Sequence, residues 1–331
     1  MNSEPQCVPC VIKQCERLVL ALRPNDKDSE KTTETLSKIR RHALDTASQL
    51  TLDDPPSKFT SQVLAKVYEL LNTDDPYQAI KKQQNEIGKN IYNLVRNQIS
   101  KTQEPIHTAI KFAAMGNIID VGPAEIYMSH NPKVPYLDEI NAMVNPVPIS
   151  STVETDNKTS SSNTKQIKNW GGVNQPLVKD DYKIFKEKFR RAERILYILD
   201  NSGEIFLDKL LIERLKGPEI TMVVKARAIL NDAMKEDAIS AGLDTFGKII
   251  TVNDKRHRYL GVDFASVSEE FNDAFESADI IIAKGHANFE SLVDIERDCF
   301  LILMAKCPVV AHKLGVNIKD RVFYYSPIKG D

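Results

Sequence analysis

The sequence lacks several features that would place it quickly in a class of protein. None of its apolar runs reaches the roughly 18 residues that a membrane-spanning helix needs, and residues 1–4 do not begin a charged-then-apolar leader. Its net charge of −2 leaves no basic surface of the kind that binds nucleic acid. Its five cysteines, an odd number, indicate a reducing compartment better than a disulfide framework. We expect a cytoplasmic globular protein that binds neither membranes nor nucleic acid.

The first third of the chain has helical periodicity. Asp75-Pro76 is typical of a helix start, and Pro105 opens a helix that we expect to end near Gly116-Asn117. These patterns predict a helical N-terminal subdomain over residues 1–120. Apolar residues recur at 3.6-residue spacing in three further segments, residues 8–22, 36–50 and 63–71.

Residues 121–180 form a connecting segment of different composition. Within it, residues 146–175 are rich in Ser, Thr and Asn and have almost no apolar periodicity. Such a stretch cannot bury enough apolar surface to offset its chain entropy. Long loops of this kind are either functional or disordered, and we expect a flexible insertion.

From residue 181 to 331, helical and extended patterns alternate. This alternation predicts a mostly parallel, doubly wound α/β sheet with helices on both faces. The expected strands are residues 195–199, 220–224, 248–252, 279–283, 300–304 and 321–325, and the expected helices are residues 182–193, 205–215 (an amphipathic one), 233–241 and 267–277.

Polar residues follow three of these strands. Asp200-Asn201, Asn231-Asp232 and Lys284-Gly285 each stand where a strand ends. Because the carboxyl ends of parallel strands lie along one edge of a sheet, these residues can converge there. Carboxylate and amide oxygens suit Mg²⁺ or Mn²⁺, while a lysine before a glycine turn suits a phosphate group. The turn and the following helix start would add backbone N–H donors.

The same residues also have a simpler interpretation. Asp, Asn and Ser are favoured at helix N-caps, and a Lys-Gly pair after a strand is commonly only a turn. The sequence by itself leaves both interpretations open for the segment around Asp200.

The residues around these strand ends resemble one known family, the damage-control phosphatases, which were catalogued as domain of unknown function 89. The N-terminal Cys7-Val8-Pro9-Cys10, followed by Gln14, resembles the subgroup of that family that begins with Cys-x-x-Cys. The other similar segments are residues 114–120, 199–204, 229–238, 278–290 and 306–309.

The resemblance implies a Rossmann-like α/β/α sandwich with a helical N-terminal part. It also implies metal-dependent hydrolysis of phosphate monoesters of small metabolites, such as sugar phosphates or damaged and surplus intermediates. The cofactor would be a divalent cation, Mn²⁺, Co²⁺, Ni²⁺ or Mg²⁺. The metal ligands implied are Asp200, Asn201 and Asp232, and the residues on the substrate and phosphate side are Asn117, Asp120, Glu204, Lys284 and Gly285.

Three positions depart from the family pattern. Residues 225–228, Lys-Ala-Arg-Ala, stand where an arginine and a proline are expected, with Arg227 as a candidate for the role of the arginine. Met115 stands where a basic residue is expected, and His286-Ala287 replaces a Gln-Gly pair.

One other mechanism and two other functions compete with direct hydrolysis at a metal. Asp200 could form an aspartyl phosphate, but enzymes of the haloacid-dehalogenase superfamily use Asp-x-Asp for this, and here Asn201 is the adjacent residue. A carboxyl methyltransferase dependent on S-adenosylmethionine would need a glycine-rich turn that this loop lacks. A non-catalytic metabolite-binding protein is the third class of function.

The cysteine pair Cys7 and Cys10 has three interpretations. The two thiols could supply half of a zinc site, form a redox pair, or be structural residues at a helix start. The sequence does not indicate an oligomeric state.

Overall fold

A helical layer precedes the α/β region in a computed structural model, which describes residues 1–22, 29–49, 51, 53–116, 176–254 and 256–328. The predictions for Asn117, Asp120 and the insertion at 146–175 lie outside the described residues. The helices of this first layer are α1 (Cys7–Leu22), α2 (Glu30–Gln49), α3 (Pro56–Leu71), α4 (Gln78–Ile99) and α5 (Pro105–Met115).

Helices α1, α2 and α3 share one apolar core. The predicted faces are the ones that they bury, with Cys15, Leu18, Ile39 and Val63 almost inaccessible to solvent. Burial of such an amphipathic stripe, rather than intrinsic propensity, supplies most of the stability of helices of this length.

Of the two helix starts predicted from a proline, one is correct and the other is displaced by two residues. Pro105 opens α5, as predicted, and Gly116 caps its end. The prediction that Pro76 opens α4 is wrong by two residues, since this helix begins at Gln78. The Asp75 carboxylate still caps the turn, because it accepts a hydrogen bond from the Tyr77 N–H at 3.0 Å.

The second half of the chain forms a seven-stranded sheet in the order β1-β7-β6-β5-β2-β3-β4. All neighbouring strands are parallel except β6 and β7, which confirms a mostly parallel α/β sheet. The strands are β1 (Lys179–Asp180), β2 (Arg194–Ile198), β3 (Glu219–Val224), β4 (Lys248–Thr251), β5 (Ile280–Lys284), β6 (Cys299–Met304) and β7 (Arg321–Ser326).

The strand order reverses at the centre of this sheet. From β2 the chain moves outward through β3 and β4, and then returns to place β5 on the other side of β2. A crevice opens between such diverging connections beyond the carboxyl ends of the strands, and ligands of doubly wound sheets bind in it. The residues at the carboxyl ends of β2 and β5 therefore lie where a ligand of this fold is expected to bind.

Helices cover both faces of the sheet. Alternate residues of β2 enter different cores, with Ile195 and Tyr197 on one face and Leu196 and Ile198 on the other. The result is the predicted α/β/α sandwich. Its helices are α6 (Tyr182–Phe189), α7 (Ile205–Ile212), α8 (Lys235–Ser240), α9 (Glu269–Ser277), α10 (His286–Leu292) and α11 (Pro308–Leu314), with a 3₁₀ turn at Leu243–Thr245.

Helix α7 differs from the amphipathic helix that the sequence predicts. All its residues except Lys209 are buried, Asp208 included. The physical reason is that α4 and α5 both pack against α7. Because α4 and α5 share this core with the sheet, they link the helical layer to the α/β region. Of the described helices, none combines the length and apolar character required to cross a membrane.

Candidate functional site

The loop after β2 is anchored to the loop after β3. The Asp200 carbonyl accepts a hydrogen bond from the Ala233 N–H at 2.8 Å, and the Ser202 N–H donates to the Asn231 carbonyl at 2.8 Å. Asn201 and Asp232 also form an antiparallel bridge. These backbone contacts bring together the two acid–amide pairs that the sequence separates by about thirty residues.

The side chains of the first loop face one another. The Asn201 Nδ2 donates to Asp200 Oδ2 at 3.0 Å and to Glu204 Oε1 at 2.8 Å, and all three side chains are buried. Helix α7 begins after Glu204 without any side-chain hydrogen bond to its first N–H groups. The N-cap interpretation of this segment is therefore wrong.

The second loop contributes Asp232 and a lysine that sequence reasoning missed. Lys225 Nζ lies 3.7 Å from Asp232 Oδ2 and donates to the Gly261 carbonyl at 2.6 Å. The candidate that sequence reasoning considered, Arg227, instead pairs with the exposed Asp74 at 2.8 Å. A signal for Lys225 did exist, since it directly follows β3, much as Lys284 ends β5.

Lys284 is fully buried at the end of β5. Its Nζ lies 3.3 Å from Glu204 Oε2 and 3.0 Å from Asp208 Oδ1. Asp208 also accepts a hydrogen bond from the Tyr197 hydroxyl at 2.9 Å. Asp208 is a second residue that sequence reasoning missed. A carboxylate four residues after Glu204, in a stretch whose other charged residue is Lys209, was a usable signal.

Gly285 provides space rather than a hydrogen-bond donor. Its backbone φ is +81°, and a Cβ placed there would lie 1.8 Å from Asp200 Oδ2. Its N–H donates to the Ile302 carbonyl at 3.0 Å and so is used within the sheet. The Gly285 N–H is therefore not one of the backbone donors expected at this turn, and donation by the following residues stays a prediction.

Burial and like charge shape the ionisation of the cluster. Burial, reinforced by the Glu204 and Asp232 carboxylates, raises the pKa of Asp200 well above its usual value. Burial lowers the pKa of Lys225, against the opposing effect of Asp232. Burial also disfavours the charge of Lys284, but the Asp208 and Glu204 carboxylates outweigh it and raise the pKa of that lysine.

The cluster holds more acidic than basic groups. Its buried carboxylates are Asp200, Glu204, Asp208 and Asp232, while its buried ammonium groups are Lys225 and Lys284. Four negative groups against two positive ones leave an excess of two negative charges when all are ionised. Buried charge without compensation is costly, so this donor set suits a divalent cation.

The remaining predicted residues are placed as follows. Asn117 and Asp120 lie outside the described residues. A Cβ on Gly116, the last described residue before them, would be 3.2 Å from Glu204. Cys7 is partly buried and Cys10 is exposed, and both are free thiols at the start of α1.

Across the parts of the chain that the structure describes, no three His, Cys, Asp or Glu side chains are arranged to hold a metal ion. A cation bound by Asp200 and Asp232 would therefore need the amide oxygen of Asn201 as a further ligand.

A doubly wound sheet with acid, amide and lysine side chains at its switch point defines an α/β enzyme with a polar site at the carboxyl edge. Residues 3–322 match the family model described as damage-control phosphatase ARMT1-like domain, and the chain belongs to this family. The resemblance to this family and the assignment to a phosphatase family are both confirmed, while the subgroup that begins with Cys-x-x-Cys stays a prediction.

Relatives from three organisms match most of the chain, and two of them are damage-control phosphatases. A damage-control phosphatase of Pyrococcus horikoshii is 31% identical over 325 residues, covering 96% of this chain and 95% of its own. A damage-control phosphatase of Archaeoglobus fulgidus is 29% identical over 265 residues, covering 79% and 80%. An uncharacterized protein of Methanocaldococcus jannaschii is 28% identical over 328 residues, covering 96% and 94%.

A solved structure has the same fold. The crystal structure of a DUF89 family protein from Pyrococcus horikoshii superimposes with a TM-score of 0.77 at 28% identity, covering 98% of this chain and 99% of that one. The similarity extends over the helical layer as well as the sheet.

Proposed function

We propose that this protein is a metal-dependent phosphatase that hydrolyses phosphate monoesters of small metabolites, with Asp200, Asn201 and Asp232 holding the ion. The observation that carries the proposal is the cluster of four buried carboxylates with only two buried ammonium groups at the switch point of the sheet. Membership in a phosphatase family supports hydrolysis over methyl transfer and over binding without catalysis.

The proposed ligands fit a hard divalent cation. Asp200 and Asp232 supply carboxylate oxygens from two loops joined by backbone hydrogen bonds. The Asn201 amide nitrogen donates to Asp200 and Glu204, so the oxygen of the same amide is directed away from them. Oxygen donors of this kind favour Mg²⁺ or Mn²⁺ over softer metals, and Mn²⁺, Co²⁺, Ni²⁺ and Mg²⁺ are the ions we would test.

A cation bound there would polarise a phosphoryl oxygen and lower the pKa of a nearby water. The reaction adds the oxygen of water to phosphorus and breaks the bond between phosphorus and the ester oxygen, giving inorganic phosphate and an alcohol. The residues of this chain orient the groups and offset the charge that develops on the phosphoryl oxygens.

Two lysines carry the positive charge of the proposed phosphate side. Lys284 directs two N–H groups toward Glu204 and Asp208, and an ammonium group has a third that we assign to a phosphoryl oxygen. Lys225 lies beside Asp232 and is the nearer cation to a proposed metal ligand. Glu204 holds both Asn201 and Lys284, so its role is to orient one proposed ligand and one phosphate donor.

Gly285 belongs to this site because it leaves room beside the Asp200 carboxylate. Asn117 and Asp120 remain proposals for the substrate side, as the resemblance implies. The leaving alcohol is that of a small phosphorylated metabolite, of which sugar phosphates are the first class to test.

The test is phosphate release from a panel of sugar phosphates and other small phosphomonoesters. Wild type would be assayed after removal of metal with EDTA and after addition of each of the four ions, beside Asp200→Ala. We expect metal-dependent release that the substitution abolishes. A folded wild type that releases no phosphate with any ion would overturn the proposal, and methyl transfer from S-adenosylmethionine would then be measured.

A further inference from the structure

One face of α4 lies against both loops of the proposed metal site. The residues of this face recur at helical spacing, and each contacts a residue of one of the two loops or of α8 directly after the second. They come from the helical layer, whereas the proposed ligands come from the sheet. The residues are Lys81, Gln84, Asn85 and Gly88.

Asn85 contacts both loop regions with the two ends of one amide. Its Oδ1 accepts a hydrogen bond from the Gly203 N–H at 2.7 Å, and its Nδ2 donates to Asp237 Oδ1 at 2.9 Å. The second oxygen of Asp237 accepts the Met234 N–H at 3.0 Å, two residues after Asp232. One side chain therefore ties the loop after β2 to the loop after β3.

Two neighbours of Asn85 on α4 also contact these loops, one through a hydrogen bond and the other through close backbone packing. Gln84 Oε1 accepts a hydrogen bond from Asn231 Nδ2 at 3.1 Å. Gly88 allows the helix to approach closely, since a Cβ there would lie 2.2 Å from the Gly203 carbonyl oxygen. The close approach and the hydrogen bonds together keep α4 in one position relative to the loops.

We propose that Asn85 is a positioning residue for the metal-dependent reaction, and that its amide, acting with the backbone hydrogen bonds that join the two loops directly, maintains the separation between Asp200-Asn201 and Asp232. The inference rests on the proposed function, because it assumes that both loops bind one ion. Ligands on two loops bind one cation well only when the distance between the loops is maintained, and loss of a hydrogen bond behind a ligand typically lowers metal affinity about 10–100-fold.

The experiment exchanges the two partners of one hydrogen bond. Asn85→Asp keeps an acceptor for the Gly203 N–H but places a carboxylate against Asp237. In the double variant with Asp237→Asn, the amide introduced at position 237 can donate to the carboxylate introduced at position 85, and its oxygen can still accept from Met234. Asn90→Asp, at an exposed position of α4, is the matched control for the added charge.

Binding of Mn²⁺ would be measured from the electron paramagnetic resonance signal of the free ion, with kcat and KM determined alongside. All variants would be compared at a temperature where circular dichroism shows them folded. We expect Asn85→Asp to weaken Mn²⁺ binding at least about tenfold and to lower kcat more than it raises KM. The double variant should recover most of both values, and Asn90→Asp should match wild type.

Wild-type Mn²⁺ affinity in the folded Asn85→Asp variant, or no recovery in the double variant, would overturn the proposal. A second measurement, hydrogen exchange, needs neither metal nor substrate. It can therefore test the role of Asn85 even if the proposed phosphatase function is wrong. Hydrogen exchange at the Gly203 amide in metal-free protein should accelerate in Asn85→Ala, since its acceptor is lost. Unchanged exchange there would contradict the inference even if the enzyme proves inactive.

Discussion

The two edges of the sheet are both rich in charged residues, yet they differ in burial. At the amino edge, Lys248 and Glu270 form a 2.7 Å pair while remaining 60% and 51% exposed. At the carboxyl edge, Lys284 and Glu204 form a 3.3 Å pair and are both 0% exposed. The first pair lines an open cleft at the starts of β2, β3 and β4, and the second lies where β2 and β5 end.

The comparison shows that burial, rather than the presence of charge, distinguishes the candidate site. Exposed pairs are screened by water and contribute little, because their attraction barely exceeds the entropy lost in ordering two long side chains. Buried charges must be balanced locally or change their ionisation, and here the carboxyl edge holds an excess of acidic groups. An excess at this edge is useful to a protein that binds a cation.

The strongest test removes one carboxylate from each edge. We expect Asp232→Asn to lower kcat/KM by more than about 100-fold, the upper end of what loss of a ligand's supporting partner costs. Asp273→Asn, which removes an exposed carboxylate from the cleft at the amino edge, should leave kcat/KM unchanged. Steady-state kinetics with saturating Mn²⁺ would measure both, and an Asp232→Asn enzyme within tenfold of wild type would remove Asp232 from the site.

Alanine substitutions at two glycines distinguish the effect of a steric clash with Asp200 from the effect of backbone strain alone. Gly285 and Gly315 both have positive φ, at +81° and +65°, but only Gly285 has a carboxylate where a Cβ would stand. Gly315→Ala should therefore cost only the left-handed strain of about 1–2 kcal/mol in urea denaturation. Gly285→Ala should in addition displace Asp200 and weaken Mn²⁺ binding at least about tenfold. Equal Mn²⁺ affinity in the two variants would show that the space beside Asp200 is not required.

Two lysines at opposite edges test the role of the buried ammonium group. Lys225→Met removes a positive charge beside Asp232, so kcat/KM for a phosphomonoester should fall about tenfold while Mn²⁺ binds as tightly as before or more tightly. Lys248→Met removes an exposed charge and should alter neither value. Weaker Mn²⁺ binding in Lys225→Met with unchanged catalysis would assign this lysine to loop structure instead.

Glu290 on α10 tests the effect of burial outside the cluster. Burial raises its pKa from 4.5 to about 7, so the folded protein retains this proton at a pH where the unfolded chain has lost it. The free energy of unfolding should therefore fall as pH rises from about 4.5 to 7, by on the order of 2 kcal/mol from this group. Denaturation of wild type and Glu290→Gln across that range would show a flatter profile in the variant, and parallel profiles would contradict the shift.

Much of the candidate site could be predicted from strand ends alone. Asp200 lies just after β2, Asp232 lies in the loop after β3, and Lys284 ends β5. The rule that the carboxyl ends of parallel strands share one edge brings them together. Lys225 and Asp208 were missed because they differ from surface residues only in being buried. Their burial depends on elements that pack over them from distant parts of the chain. Asp208 lies in a helix that is buried only because α4 and α5 cover it.

The sequence by itself determined the alternation of strands and helices, because apolar periodicity is a local property that the chain carries in any conformation. It also determined which kinds of polar side chain stand near the strand ends. Only the tertiary structure decided that β5 lies beside β2, that Gly285 packs against Asp200 and that Asn85 joins two loops more than a hundred residues away. These contacts join distant parts of the chain, and they form only when the helical layer and the sheet bury their apolar faces together.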